Sequence, residues 1–233
     1  MNPSDGIVVF PGAGSFGGEF GPLLRELTPA ARLVRYPGRI GRESGTAAGS
    51  FEDLVLACVN EVTDRKPASP VLVGHSFGAY VAYATAARLR RHGTECAGLV
   101  VVGATAPHLL AIPGAATLSR SGTADYLDRI DPGLVPEDSD WREVVVDTAY
   151  QDLRLLDGFD PADYETPRCP IFAVRGDKDP LTSDDGIAEW AGNTAATCSR
   201  HVFPGGHSDL LGSTEFVSWL RKVTNLLLRG ERQ

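Results

Sequence analysis

The sequence predicts an α/β protein with an open, mostly parallel sheet that carries helices on both faces. Short apolar runs bounded by turn residues alternate along the chain with longer segments of helical periodicity, as in parallel sheets covered on both sides. A chain of 233 residues with 42% hydrophobic content is long enough to bury one full core. We therefore expect a single domain over residues 1–233, with right-handed crossovers between its strands.

The predicted elements follow the chain from one end to the other. Apolar runs predict six strands: Ile7 to Phe10, Arg32 to Tyr36, Pro70 to Gly74, Ala97 to Gly103, Cys169 to Arg175 and Ser199 to Phe203. Helical patterns predict five helices: Phe20 to Leu27, Ser50 to Arg65, Ser76 to His92, Asp184 to Ala191 and Asp209 to Leu228.

One connection is too long for a simple crossover. The chain runs about 65 residues from Ala104 to Arg168, where a crossover with its helix needs only a dozen or more. We expect a helical lid insertion at about residues 107–165, over the carboxyl ends of the strands. Apolar side chains spaced like one face of a helix are predicted to line the substrate site: Trp141, Val145, Ala149 and Leu153. A shorter pattern contains Tyr126, Leu127 and Ile130, and the alternative for the main stripe is that it is only core.

Charge and cysteine usage exclude several classes of function. The net charge is −8 and the basic residues are scattered, which argues against a nucleic-acid partner. The cysteines are far apart and form no pair or cluster at metal-ligand spacing, so we expect buried thiols and no metal site: Cys58, Cys96, Cys169 and Cys198. No signal peptide begins the chain, and no apolar run approaches the roughly 18 residues of a membrane span. The sequence therefore predicts a soluble, cytoplasmic protein with no membrane partner.

The strongest chemical signal is a GxSxG motif, Gly74-His75-Ser76-Phe77-Gly78. A buried strand precedes this motif and an Ala-rich helix follows it, which is the context of a nucleophile elbow. The elbow holds its serine in a strained turn that requires small residues at the flanking positions. We therefore predict an α/β-hydrolase fold with Ser76 as nucleophile.

A serine nucleophile needs a base, and the base needs an acid that orients it. In the serine, acid, histidine order of α/β-hydrolases, His207 follows the last strand in a Gly-rich loop and is the predicted base. His108 and His201 are less suitably placed. Asp177 and Asp179 both follow the fifth strand, and Asp179 is favoured because Pro180 biases it toward an extended backbone.

The oxyanion of the reaction needs two backbone donors. One is the amide of Phe77, which follows the nucleophile, and the other is predicted to be Ala13, in the glycine-containing loop after the first strand. A phosphate-binding loop is the competing interpretation of that segment, but its glycines do not match the GxGxxG spacing.

Over nearly its whole length, the chain resembles the type II thioesterases that accompany polyketide synthases and non-ribosomal peptide synthetases. The resemblance lies in five motifs: Phe10-Pro11-Gly12-Ala13-Gly14, Tyr36-Pro37-Gly38-Arg39, Gly74-His75-Ser76-Phe77-Gly78-Ala79, Gly176-Asp177-Lys178-Asp179-Pro180 and Pro204-Gly205-Gly206-His207.

This resemblance implies particular roles and a particular substrate. It implies a triad of Ser76, Asp179 and His207, oxyanion donors at Ala13 and Phe77, and no cofactor of the enzyme's own. The substrate would be an acyl thioester on the phosphopantetheine arm of an acyl or peptidyl carrier protein, hydrolysed through an acyl-serine. Two departures bear on specificity: Ser208-Asp209 follows the histidine, and Ser15 replaces a common glycine.

Other functions stay open at this point. The same triad would serve an acyltransferase or a hydrolase of small esters or acyl-CoA, and a non-catalytic scaffold is a further alternative. Because carrier proteins and this chain are both acidic, we expect a local basic patch to contact the carrier, at Arg39 and Arg42 beside the Pro37-Gly38 turn. The alternative for Arg39 is an internal hydrogen-bond network that holds the loop.

Overall fold

A six-stranded parallel sheet organises the protein. The computed structural model describes residues 6–27, 30–39, 46–65, 67–132, 135 and 139–230. The strands lie in the order β2-β1-β3-β4-β5-β6, and every neighbouring pair is parallel, which confirms the predicted fold class. Their bounds are β1 Ile7–Phe10, β2 Ala31–Leu33, β3 Val71–His75, β4 Gly98–Val102, β5 Ile171–Gly176 and β6 Cys198–Phe203.

Helices cover both faces of this sheet. They are α1 Gly21–Leu27, α2 Phe51–Asp64, α3 Phe77–Arg91, α4 Gly114–Leu118, α5 Arg120–Ile130, α6 Ser139–Asp157, α7 Asp184–Ala188 and α8 Thr214–Leu228. Alternate residues of each strand enter different cores: Leu72 packs with α2 and α3, whereas Val71 and Val73 pack with α1 and α8. Burial on both faces explains why the strands appear in the sequence as continuous apolar runs.

Most predicted elements begin or end at other residues in the structure. β2 stops at Leu33, three residues before the predicted end. The predicted last helix divides into a 3₁₀ turn at Asp209–Gly212 and α8, because the Ser213 side chain accepts a hydrogen bond from the Phe216 amide and caps a new helix.

The long connection between β4 and β5 contains α4, α5 and α6. Leu127 and Ile130 of α5 pack against Val146 and Ala149 of α6 to form a small apolar cluster of their own. This cluster is separate from the two cores beside the sheet, so the insertion has its own internal packing.

The four cysteines are free thiols, of which Cys58 and Cys169 are buried and Cys96 and Cys198 half-buried. The prediction of buried thiols is therefore correct for two of them. None of the helices that the structure describes is long and apolar enough to cross a membrane.

The strand order indicates which edge of the sheet can bind a ligand. From β1 the chain crosses to β2 on one side and then returns to β3 on the other, so the direction of winding changes between β1 and β3. Open α/β sheets bind ligands at the carboxyl ends of the strands beside such a switch point. The loop after β1 and the turn after β3 meet there.

Candidate active site

Ser76 occupies a strained turn between β3 and α3. Its backbone φ is +53°, the single positive φ of a non-glycine residue in the part of the chain that the structure describes. A Cβ atom on Gly74 would lie 2.3 Å from the Gly78 carbonyl oxygen, and one on Gly78 would lie 2.2 Å from that of Phe10. Both glycines of the motif are thus required by close backbone approach, as in a nucleophile elbow.

His207 and Asp179 form a buried, hydrogen-bonded pair. The His207 Nδ1 donates to both carboxylate oxygens of Asp179, at 3.1 Å each. The Leu181 amide and the Thr182 hydroxyl donate to the same carboxylate at 2.9 and 2.8 Å. Burial alone would raise the pKa of Asp179, but the hydrogen bonds that it accepts and its electrostatic interaction with His207 outweigh burial and lower it. Asp179 therefore stays ionised and holds His207 with Nε2 free to accept a proton.

The structure brings Ser76 and His207 to one cavity. Both residues line it, and the buried Nε2 of His207 has no hydrogen-bond partner among the described residues. The Ser76 hydroxyl is thus not yet bonded to the base. Such bonds are often long in hydrolases without substrate and tighten when the substrate binds. The arrangement supplies a nucleophile, a base and an orienting acid in one place.

Asp177 has a different role from Asp179. Its Oδ1 accepts a hydrogen bond from the Gly205 amide at 2.8 Å, and its own amide donates to the Phe203 carbonyl at 2.8 Å. The side chain is exposed and makes no contact with the imidazole that the structure records. Asp177 therefore holds the loop that carries His207.

A turn after β1 presents a free backbone amide to the site. The Ser15 amide donates to the Gly12 carbonyl at 3.2 Å, which closes a turn with Ala13 and Gly14 in its centre. The amides of Ala13 and Phe77 donate to no acceptor in the described chain, and both residues line the cavity with Ser76. This is the arrangement that an oxyanion hole needs.

The cavity beside Ser76 has a volume of about 170 Å³ and one apolar wall. The apolar wall consists of Leu109, Leu110, Ile112, Leu127, Ile130, Leu153, Leu156 and Leu181. The segment that follows β4 and the helices of the insertion supply most of these side chains. The site therefore has room for an apolar group beside Ser76.

Three of the four residues predicted for the substrate site do not line this cavity. Leu153 does, but Trp141 is 41% exposed and packs against Phe16 with the rings tilted. Val145 is buried with its carbonyl oxygen close to Gly14, and Ala149 packs in the cluster with α5. The reason is helical geometry: steps of four residues advance about 40° past a full turn, so Trp141 and Leu153 point about 120° apart. The alternative that the stripe is packing holds for Val145 and Ala149.

The Arg39 side chain does not lie at the surface as the predicted carrier contact requires. Its guanidinium pairs with Asp152 at 2.7 Å, and only 11% of the side chain is exposed. The internal network is therefore the arrangement that the structure shows for Arg39. Arg42 lies outside the described residues, and its role stays a prediction.

Sequence reasoning did not identify several polar residues of the site. Glu19, Tyr80 and Thr105 line the cavity, and no motif marks any of them. Ser15 and Ser208, the departures from the family pattern, also line it, and Ser15 donates a hydrogen bond to Glu19.

A family model described as "Thioesterase domain" matches residues 6–224. The chain is 32% identical over 208 residues to phenyloxazoline synthase MbtB of Mycobacterium tuberculosis, a match that covers 86% of this chain and 15% of that protein. The chain thus spans about 15% of the length of that relative. It is 27% identical over 220 residues to thioesterase TesA of Mycobacterium leprae, covering 89% of this chain and 81% of TesA.

The fold is similar to that of a solved thioesterase structure. RedJ, a thioesterase from the prodiginine biosynthetic pathway of Streptomyces coelicolor, superposes with a TM-score of 0.80 at 25% sequence identity. The match covers 97% of this chain and 92% of RedJ.

Proposed function

Because this chain belongs to the thioesterase family, we propose that it is a type II thioesterase that hydrolyses acyl thioesters on the phosphopantetheine arm of carrier proteins. One observation carries the proposal: the strained Ser76 and His207 line the same cavity, and buried Asp179 accepts hydrogen bonds from His207. The triad, the oxyanion donors and the carrier substrate are all parts of this proposal.

The first half of the reaction forms an acyl-enzyme. His207 Nε2 takes the proton of Ser76 while Oγ attacks the thioester carbonyl, and the oxyanion accepts hydrogen bonds from the amides of Ala13 and Phe77. The carbon–sulfur bond then breaks, and His207 returns the proton to the departing thiol. The acyl group is left on Ser76 against the apolar wall of the cavity.

The second half releases the acid. His207 takes a proton from a water molecule, whose oxygen attacks the acyl carbonyl, and the same two amides stabilise the second oxyanion. The ester bond breaks, Ser76 regains its proton from His207, and a free carboxylic acid leaves. No cofactor takes part in this scheme.

The relatives support a substrate delivered by a biosynthetic assembly. MbtB is a phenyloxazoline synthase, and RedJ is a thioesterase of the prodiginine biosynthetic pathway. Both polar and apolar side chains line the cavity, which suits a thioester with a polar carrier arm and an apolar acyl chain.

The experiment that tests this function is deacylation of a carrier protein. A carrier loaded with an acyl-phosphopantetheine is mixed with enzyme, and intact mass spectrometry follows loss of the acyl group. We expect the free acid and the holo-carrier as products, at a rate that Ser76→Ala reduces to background. Persistence of the acyl-carrier with wild-type enzyme would refute carrier hydrolysis, and transfer of the acyl group to another acceptor would favour the acyltransferase alternative.

A further inference from the structure

A buried carboxylate joins the insertion to the loop that follows β1. Asp152, on α6, is only 6% exposed. Its Oδ2 accepts two hydrogen bonds, one from the Gly14 amide at 2.8 Å and one from Arg39 Nη2 at 2.7 Å. A single oxygen atom thus connects three segments that are distant in the sequence.

The Gly14 amide is part of the turn that presents Ala13. The peptide bond between these two residues carries the amide that Asp152 holds, so that hydrogen bond constrains the backbone orientation of Ala13 as well. Gly14 has a φ of +71°, the left-handed conformation that glycine adopts at the third position of a type II turn. A Cβ atom on Gly14 would lie 2.8 Å from the Ala149 Cβ, so α6 packs directly on the turn.

Burial of the charged Asp152 side chain is energetically unfavourable. Burial raises the pKa of Asp152, while the opposite charge of Arg39 and the hydrogen bond from Gly14 act in the other direction. The Arg39 guanidinium in turn lies over the rings of Phe16 and Tyr36, 5.6 and 5.2 Å from their centroids. Replacing a buried ion pair with apolar residues is often neutral for stability, so stability alone is a weak reason for this one.

We propose that Asp152 is a positioning residue for catalysis, which holds the turn after β1 through the Gly14 amide and so aims the Ala13 amide at the oxyanion. This inference rests on the proposed function, which assigns Ala13 to the oxyanion hole. Leu153, the next residue on α6, lines the acyl cavity. One turn of α6 therefore contacts both the acyl chain and the oxyanion loop.

A purely structural ion pair is the competing explanation, and variants in an Arg39→Met background separate the two. Without Arg39, a substitution of Asp152 leaves no buried guanidinium unpaired, so its effect does not include the free-energy cost of an unpaired charge. Asp152→Asn retains a carbonyl oxygen that accepts the Gly14 hydrogen bond, whereas Asp152→Ala removes it. Asp147→Ala is a matched control, because Asp147 lies on the same helix and forms an exposed ion pair with Arg120.

The measurement is the rate of Ser76 labelling by a fluorophosphonate, together with kcat and KM for a small thioester without a carrier. In labelling, Ser76 Oγ displaces fluoride from phosphorus, and the phosphoryl oxygen occupies the oxyanion hole. We expect Arg39→Met/Asp152→Ala to be about 10- to 100-fold slower than Arg39→Met/Asp152→Asn in labelling and in kcat, since a misplaced oxyanion donor costs this much. KM should change by less than about twofold, because the donor acts on charge that develops in the transition state.

Two outcomes would overturn the proposal. One is equal labelling rates for the two double variants, and the other is a loss of labelling rate in Asp147→Ala as large as the loss that Asp152→Ala causes. Circular dichroism and thermal melting confirm that each variant is folded at the assay temperature. If the proposed function is wrong, the assays give a different set of results. A wild-type enzyme that reacts with the fluorophosphonate but hydrolyses no thioester would contradict the thioesterase assignment, while the labelling rates would still test Asp152.

Discussion

The His75 side chain donates a hydrogen bond from Nε2 to the main-chain carbonyl of His207, at 3.0 Å. His75 immediately precedes Ser76, so this bond connects the elbow to the loop that carries His207, the proposed base. Burial, and next the nearby His207, lower the pKa of His75 to about 3. The imidazole is therefore neutral at ordinary pH, with its proton on Nε2.

This shift in pKa predicts how stability depends on pH. Between its ordinary pKa of 6.5 and about 3, the unfolded chain binds a proton at His75 that the folded protein does not. The free energy of unfolding contributed by this group therefore falls as pH falls through that range, by about 1.4 kcal/mol per unit. Thermal or urea unfolding at several pH values between 7 and 4 measures the slope.

The matched variant for this prediction is His75→Gln, which retains an N–H donor but does not titrate. Other groups, carboxylates above all, titrate equally in both proteins, so the difference between the two slopes isolates His75. We expect a shallower loss of stability on acidification in the variant. Parallel curves would show that His75 is protonated in the folded state as readily as in the unfolded chain.

The two aspartates after β5 should respond differently to the same substitution. Asp179→Asn removes the charge that orients His207, and we expect kcat to fall by about 10² to 10⁴-fold. Asp177→Asn retains the oxygen that accepts from the Gly205 amide, so kcat should stay within about threefold of wild type. Steady-state kinetics on a small thioester measures both, and the reverse order of effects would assign the acid to Asp177.

The apolar wall of the cavity should determine the preferred acyl chain. Leu153→Ala enlarges the cavity, and we expect the ratio of kcat/KM for long over short acyl thioesters to rise by about tenfold. Val146→Ala is the control, because Val146 is buried on the same helix but packs in the cluster with α5. Both variants should melt at lower temperature, whereas an unchanged acyl preference in Leu153→Ala would show that Leu153 serves packing alone.

The sequence was most informative where local chemistry determines local structure. β1 was predicted with its observed bounds, because a buried parallel strand requires an apolar run between turn residues. The elbow was predictable because a Cβ atom on either glycine that flanks Ser76 would lie under 2.5 Å from a backbone oxygen, so a larger residue does not fit there. The positions of Asp179 and His207 after β5 and β6 follow from the same reasoning about the carboxyl edge of a parallel sheet.

The orientation of α6 could not be predicted in this way. Its apolar residues were assigned to one face, but they point in different directions along the helix, Trp141 toward Phe16 and Leu153 toward the cavity beside Ser76. The role of Asp152 was also hidden, because an isolated aspartate within a helix resembles a solvated residue. Its partners, Gly14 and Arg39, are more than 100 residues away and meet it only in the folded protein.

Detection of an acyl group on Ser76 tests the central claim most directly. Enzyme and acyl thioester are mixed rapidly and quenched in acid, and intact mass spectrometry with peptide mapping locates any adduct. The account predicts a transient mass increase equal to the acyl group on the peptide that contains Ser76. In Ser76→Ala, both this increase and hydrolysis should be absent. Hydrolysis that continues undiminished in Ser76→Ala, or an adduct on another residue, would contradict it.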